Sequence, residues 1–131
     1  MARQRATGHF TNTAHVETPF ENEAAHRSRI AIKRAFTGDL SGESSGDLLV
    51  CRTGSDSFGY VGMDEFRGIL NGRQGTFVFQ HGEMHDSRGS RAFGFIVTGS
   101  GTGQLTEIEG DVLIEVASDG SHRIEFNYED G

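Results

Sequence analysis

Apolar and polar residues alternate with a period of two along most of this chain, the pattern of β-strands with one buried and one wet face. At the C-terminus His122, Ile124, Phe126 and Tyr128 fall on one side, and Arg123, Glu125, Asn127 and Glu129 on the other. Ile30, Ile32, Arg34 and Phe36 share a face in the same way, against Arg27, Arg29 and Lys33. The pattern predicts eight strands, over about residues 6–16, 27–37, 47–53, 58–70, 73–85, 92–98, 111–117 and 122–129. Turn-forming clusters separate them, among them Gly38-Asp39, Ser44-Ser45-Gly46, Gly54-Ser55-Asp56, Asn71-Gly72 and Asp119-Gly120. Only Glu21 to His26 has a helix-friendly composition, read as a turn or a short cap. Residues 1–131 are therefore expected to form a single all-β domain, an eight-stranded antiparallel closed barrel.

Asn71-Gly72 between two alternating runs predicts a two-residue type I′ hairpin. That turn fixes a register: Leu70 faces Arg73, Gly68 faces Gly75, Phe66 faces Phe77, Asp64 faces Phe79, and Gly62 faces His81. The face carrying Tyr60, Phe66, Phe77 and Phe79 is read as the barrel interior, with Ile32, Phe36, Val50, Phe93, Phe95, Ile114, Ile124 and Phe126 joining it. Asn12, placed on the face of Phe10, Ala14 and Val16, points inward on this reading, as do Arg34, Asp64, His81, His122 and Tyr128. Buried charges need partners, and Arg34 with Asp64 is the natural pair. An apolar interior with a few converging polar groups is the signature of a small-molecule site. The same residues also suit a filled core with one buried ion pair.

Composition narrows the function classes. Twelve basic against nineteen acidic residues give a net charge of −7, which argues against nucleic acid or an anionic membrane as partner. No apolar run suits a signal peptide or a membrane span, so a cytoplasmic location is expected. The one cysteine, Cys51, lies in an apolar run and reads as a buried, inert thiol.

Four stretches, in this order and spacing, resemble a known family: Ile32-Lys33-Arg34-Ala35-Phe36-Thr37-Gly38-Asp39-Leu40, Tyr60-Val61-Gly62-Met63-Asp64-Glu65-Phe66-Arg67-Gly68, Gly72 through His81, and Gly99-Ser100-Gly101-Thr102-Gly103-Gln104-Leu105. Together they are similar to the bacterial domain of unknown function 3224 proteins over about residues 27–110. The resemblance implies an eight-stranded barrel similar to allene oxide cyclase-like and calycin-like barrels. It places the family's basic residue on Arg34, its inward carboxylate on Asp64 and its strand-end histidine on His81. Two departures stand out: Asp64 replaces the family's usual Glu, and the chain has no Trp where the family commonly has one before Gly99.

His81, Glu83 and His85 alternate on one strand face, but successive same-face residues lie about 6.5–7 Å apart, too spread for easy convergence on a metal. No metal and no cofactor is expected. Gly99 to Gly103 lacks the lysine and the helix of a phosphate loop and reads as a strand corner. The expected function is a small-molecule-binding barrel, an isomerase or cyclase in its catalytic form. Asp64 and His81 would act as acid and base, and Arg34, Tyr60, Phe66, Phe77, Phe79, His122 and Asn12 would line the substrate cavity. The alternative is a noncatalytic ligand-binding or oligomeric structural barrel. The expected partners are an apolar small molecule in the cavity and further copies of the chain, through an outer patch around Ile69, Met63 and Val78.

Overall fold

A computed structural model describes residues 3–21 and 23–131. Eight strands follow one another around a closed antiparallel barrel: β1 Gln4–Pro19, β2 His26–Gly38, β3 Leu40–Arg52, β4 Phe58–Leu70, β5 Arg73–Asp86, β6 Gly89–Ile96, β7 Glu109–Val116 and β8 His122–Glu129. Among the described residues a single 3-10 turn, Gly103–Leu105, follows the corner at Gly99. The described residues between Glu21 and Ala25 form bends, and Asn22 lies outside the described residues.

The β4–β5 hairpin has the expected register, from Leu70 with Arg73 to Gly62 with His81. Asn71 and Gly72 take φ of 47° and 82°, the left-handed pair of a type I′ turn. The Asn71 amide also donates to the Tyr128 hydroxyl (2.8 Å), tying this hairpin to β8. Ser44-Ser45-Gly46, expected as a turn, instead runs through the middle of β3, which begins at Leu40. Its inward positions are Gly42, Ser44 and Gly46, opposite Gly68, Phe66 and Asp64 of β4. Small residues there answer to bulk across the ladder rather than to a turn. Gly42, Gly68 and Gly75 form a row across three strands. A Cβ on Gly42, whose φ is 152°, would fall 2.8 Å from the Gly68 Cα. The backbones coil tightly at this row, and the barrel closes there.

The other end is looser. β1 pairs with β8 only from Gln4 to Phe10, and β6 shares with β7 the single pair Phe95–Asp111. Beyond those points the longer strands β1 to β5, with the start of β6, extend past β7 and β8 as an open mouth. Within β1 the register slips between Asn12 and Ala14, so that Thr13 is a bulge. The bulge exchanges the faces. His15 and Glu17, not Ala14 and Val16, stand opposite the inward Ile32 and Ile30. Asn12, expected in the interior, is exposed at this mouth, and Val16 is exposed as well.

Phenylalanine fills the closed end. Phe10, Phe36, Phe66, Phe77, Phe79 and Phe126 pack with Leu40, Leu70, Ile96 and Ile124 in one buried cluster. Ile30, Ile32, Leu48 and Val50 form a second cluster toward the mouth, with Tyr60 against it. Phe93 and Phe95, expected in the core, lie outside at 46% and 48% exposure. β6 is set one residue from the expected face: Gly94 and Ile96 stand opposite the inward His81 and Phe79. Gly94 takes an interior position because β7 crosses it, and a Cβ there would lie 3.1 Å from the Val112 Cβ. Phe93 meanwhile lays its ring over Gly82, whose added Cβ would fall 2.5 Å from it. Ile114 is partly rather than fully buried.

Candidate functional site

Between the two apolar clusters runs a layer of polar side chains contributed by neighbouring strands. Arg34 comes from β2, Ser44 from β3, Tyr60 and Asp64 from β4, and His81 from β5. Glycines make the room. A Cβ on Gly46 would sit 2.7 Å from the Asp64 carboxyl carbon, and one on Gly62 would lie 3.3 Å from His81 Cε1.

Asp64 is fully buried (0% exposed), with Arg34 and His81 nearly so at 6% and 2%. Both carboxylate oxygens are engaged. Oδ1 meets His81 Nε2 at 2.8 Å. Oδ2 accepts from Arg34 Nη1 and from the Ser44 hydroxyl. Burial pushes the Asp64 carboxyl up, but the His81 hydrogen bond and the Arg34 charge outweigh it and hold the group below its ordinary value. An ionised carboxylate fixes the proton of a neutral imidazole on Nε2, leaving Nδ1 as an acceptor. The Tyr60 hydroxyl lies 3.2 Å from that Nδ1. Burial, then the nearby Glu83 carboxylate, raises the Tyr60 phenol above its ordinary value, so the phenol keeps its proton. The result is a continuous relay, Arg34–Asp64–His81–Tyr60. Arg34 also lies over the Phe10 ring (5.2 Å), and its Nε has no hydrogen-bond partner among the described residues.

The relay ends at a cavity of about 130 Å³ beside the loose β6–β7 seam. Tyr60, His81 and Glu83 line one side of it, and Ala92, Val112 and Ile114 another. A cavity near 150 Å³ admits benzene, so this one suits a small ring or the end of a chain. The expected site residues divide accordingly. Tyr60 and His81 reach the cavity, while Arg34 and Asp64 stand behind them. Phe66, Phe77 and Phe79, expected as substrate contacts, are sealed in the closed end against one another and Phe126. His122 is half-buried and stacked on Phe10 at 5.1 Å. Asn12 stands directly across the ladder from Arg34 but is exposed and makes no hydrogen bond to the relay among the described residues. Of the alternating trio on β5, His85 turns to the Ser90 hydroxyl (2.7 Å). Among the described residues no three His, Cys, Asp or Glu side chains converge as a metal site.

Ser44 and Glu83 belong to this layer and were not singled out from the sequence as site residues. Ser44 sits in what reads as a turn, and only the β3–β4 register sets it beside Asp64. Glu83 was legible as a same-face neighbour of His81, but its place opposite Tyr60 follows from the hairpin register.

These features define a class of protein: a closed antiparallel barrel packed solid at one end and carrying a buried chain of hydrogen-bonded polar side chains beneath the other. Over residues 6–128 the chain matches the model of the family described as "Protein of unknown function (DUF3224)", and it belongs to that family. It is similar to a crystal structure of a DUF3224-family protein of unknown function from Shewanella oneidensis MR-1. The two share 31% identity over 99% of this chain and 98% of the other, with a TM-score of 0.84. No curated protein matches the chain. Among the described residues no helix is long and apolar enough to cross a membrane.

Proposed function

We propose that this barrel binds a small, mainly apolar molecule in the cavity beside Tyr60, and that the relay moves a proton at the molecule's polar group, as an isomerase or cyclase requires. The observation that carries this reading is the unbroken hydrogen-bonded chain from a buried ion pair to a phenol at a cavity wall. Tyr60 is the contact group. When its proton passes to His81 Nδ1, the imidazolium formed lies against the Asp64 carboxylate, which offsets its charge. Arg34 keeps Asp64 ionised throughout. A proton taken from one position of the ligand and returned at another leaves the composition unchanged, so isomerisation or cyclisation needs no co-reactant. Such chemistry is in keeping with the allene oxide cyclase-like or calycin-like barrel that the sequence resemblance implied. A cytoplasmic setting fits the reading too. The interior is apolar, and ion pairs such as Arg29–Asp47 and Arg3–Asp111 stand on parts of the outer face.

The alternative, a noncatalytic binding or structural barrel, draws on the sealed phenylalanine end, which leaves little room for a large ligand. Tyr60→Phe separates the readings, since it removes one oxygen and keeps the ring. Cyclohexenone, phenol and benzaldehyde, tested as probes by thermal shift, are expected to stabilise the wild type. The variant should keep the wild-type fold and bind the same probes at least tenfold more weakly. A noncatalytic site would bind them without converting any isomerisable analogue, and a solid core would bind none.

A further inference from the structure

The outer face of β3 to β6 is apolar where a soluble barrel would ordinarily be wet. Leu49, Val61, Met63, Met84, Phe93 and Phe95 stand on it, each two-fifths to one-half exposed. The ladder makes them contiguous: Leu49 is opposite Val61, Val61 opposite Gly82, and Gly82 opposite Phe93. Two shallow grooves of about 470 and 510 Å³ lie side by side on this face and share Leu49, Val61 and Phe93 as a common ridge. The sequence pointed to an outer patch at Ile69, Met63 and Val78, and only Met63 belongs to this one. Val78 is partly covered, its backbone N–H donating to the Ser100 hydroxyl at 2.9 Å.

We propose that this face is the contact surface of a homodimer. Its charges favour a second copy. The cations at its rim are each paired within the chain: Arg27 with Glu23, Arg29 with Asp47, and Arg91 with Asp86. Glu83 in the first groove aside, the patch is thus close to neutral on a chain of net charge −7, and two copies can approach through it with few like charges set together. A two-fold axis along the Leu49–Val61–Phe93 ridge sets the groove edged by Arg27 and Arg91 in one copy against the groove edged by the Arg29–Asp47 pair in the other. The six apolar side chains offer about 500 Å² of surface, toward the top of what monomers leave uncovered. With the paired rim the contact approaches the ~800 Å² per partner of a standard interface. A partner there would also cover Phe93, which lines the cavity at the β6–β7 seam.

Sedimentation over a dilution series from tens of micromolar downward tests the assignment. The wild type is expected at twice the mass of one chain, dissociating on dilution. Val61→Glu, at an exposed position, should weaken the dimer by roughly a hundredfold or more, because it buries a carboxylate without a partner, while leaving the circular dichroism unchanged. If that variant fails to fold, Met63→Glu gives the same reading, and Cys51 in the first groove supplies a second one. Its alkylation should speed up as the wild type is diluted. A monomeric wild type at the highest concentration, or a dimer that survives both substitutions, overturns the proposal. So does a monomer that sediments with lipid vesicles, which would give the face to a membrane.

Discussion

At the closed end Phe66, Phe77, Phe79 and Phe126 meet ring against ring, with centroids 5.2–5.5 Å apart in the closest pairs, and ask nothing of their neighbours but shape. A few residues along the same strands, Arg34, Asp64 and His81 occupy equally buried inward positions and hold one another by hydrogen bonds. The two regions carry burial differently. Apolar contacts are individually weak and numerous, so losing one ring leaves the others in place. A buried ion pair fails as a unit, because the surviving charge has no water to turn to. The phenylalanine end therefore specifies stability. The polar layer spends stability on a chain of titratable groups, which is the trade expected of a functional site.

Removing one member from each region tests this contrast most strongly. Phe77→Ala is expected to cost about 3–5 kcal/mol, as truncated buried rings do. Asp64→Asn should cost about as much, roughly 3–5 kcal/mol, although it removes almost no volume, because Arg34 stays buried without its counter-charge. The two differ in repair. Adding Arg34→Met to Asp64→Asn should restore part of the lost stability in urea denaturation, whereas no partner substitution beside Phe77 refills the cavity. If Asp64→Asn melted like the wild type, the layer would not be a coupled unit.

Acid should distinguish the regions next. Asp64 has a folded value below the unfolded one of about 3.9, so its contribution is complete above that value and is lost as pH falls through the folded value. Melting temperature measured from pH 6 downward should therefore fall more steeply in the wild type than in Asp64→Asn. Phe77→Ala should keep the wild-type slope, displaced downward.

The tyrosines give a smaller effect at the alkaline end. Tyr60 and Tyr128 are both raised, chiefly by burial, so tyrosinate absorbance should appear only above the ordinary value near 10. The folded state favours the phenol form, and stability should decline as pH rises past the unfolded value. In a Tyr128→Phe background, adding Glu83→Gln should move the remaining Tyr60 titration back down toward the ordinary value. An unmoved titration would detach Glu83 from the relay.

The smallest effect is expected outside the barrel. Phe95→Ala should change stability by no more than about 0.5 kcal/mol in the monomer, the range of surface substitutions. Set beside Phe77→Ala, it shows that the same residue type on neighbouring strands contributes according to its face alone.

The alternation of residues 27–37, 58–70 and 73–85 determined strands, and Asn71-Gly72 determined their register, because a two-residue turn leaves only one pairing that buries the phenylalanines. From that register the closeness of Asp64, His81 and Tyr60 followed, and the need of a buried carboxylate for a cation pointed to Arg34. Elsewhere period-two reasoning reached its limit. In Phe93-Gly94-Phe95-Ile96 both faces read as apolar, and the closeness of β7 to Gly94 decided which one turned inward. In β1 the extra residue at Thr13 reversed the alternation and put Val16 into solvent, while Asn12, still opposite Arg34, is exposed because β1 has already parted from β8 there. A bulge is a two-strand event, visible only once β1 is laid against β2. Ser44-Ser45-Gly46 carried turn residues whose smallness served Phe66 and Asp64 on the facing strand. Local pattern fixes which residues alternate. Which side of the alternation is inside, and how much room is left there, depends on strands that lie far apart in the chain.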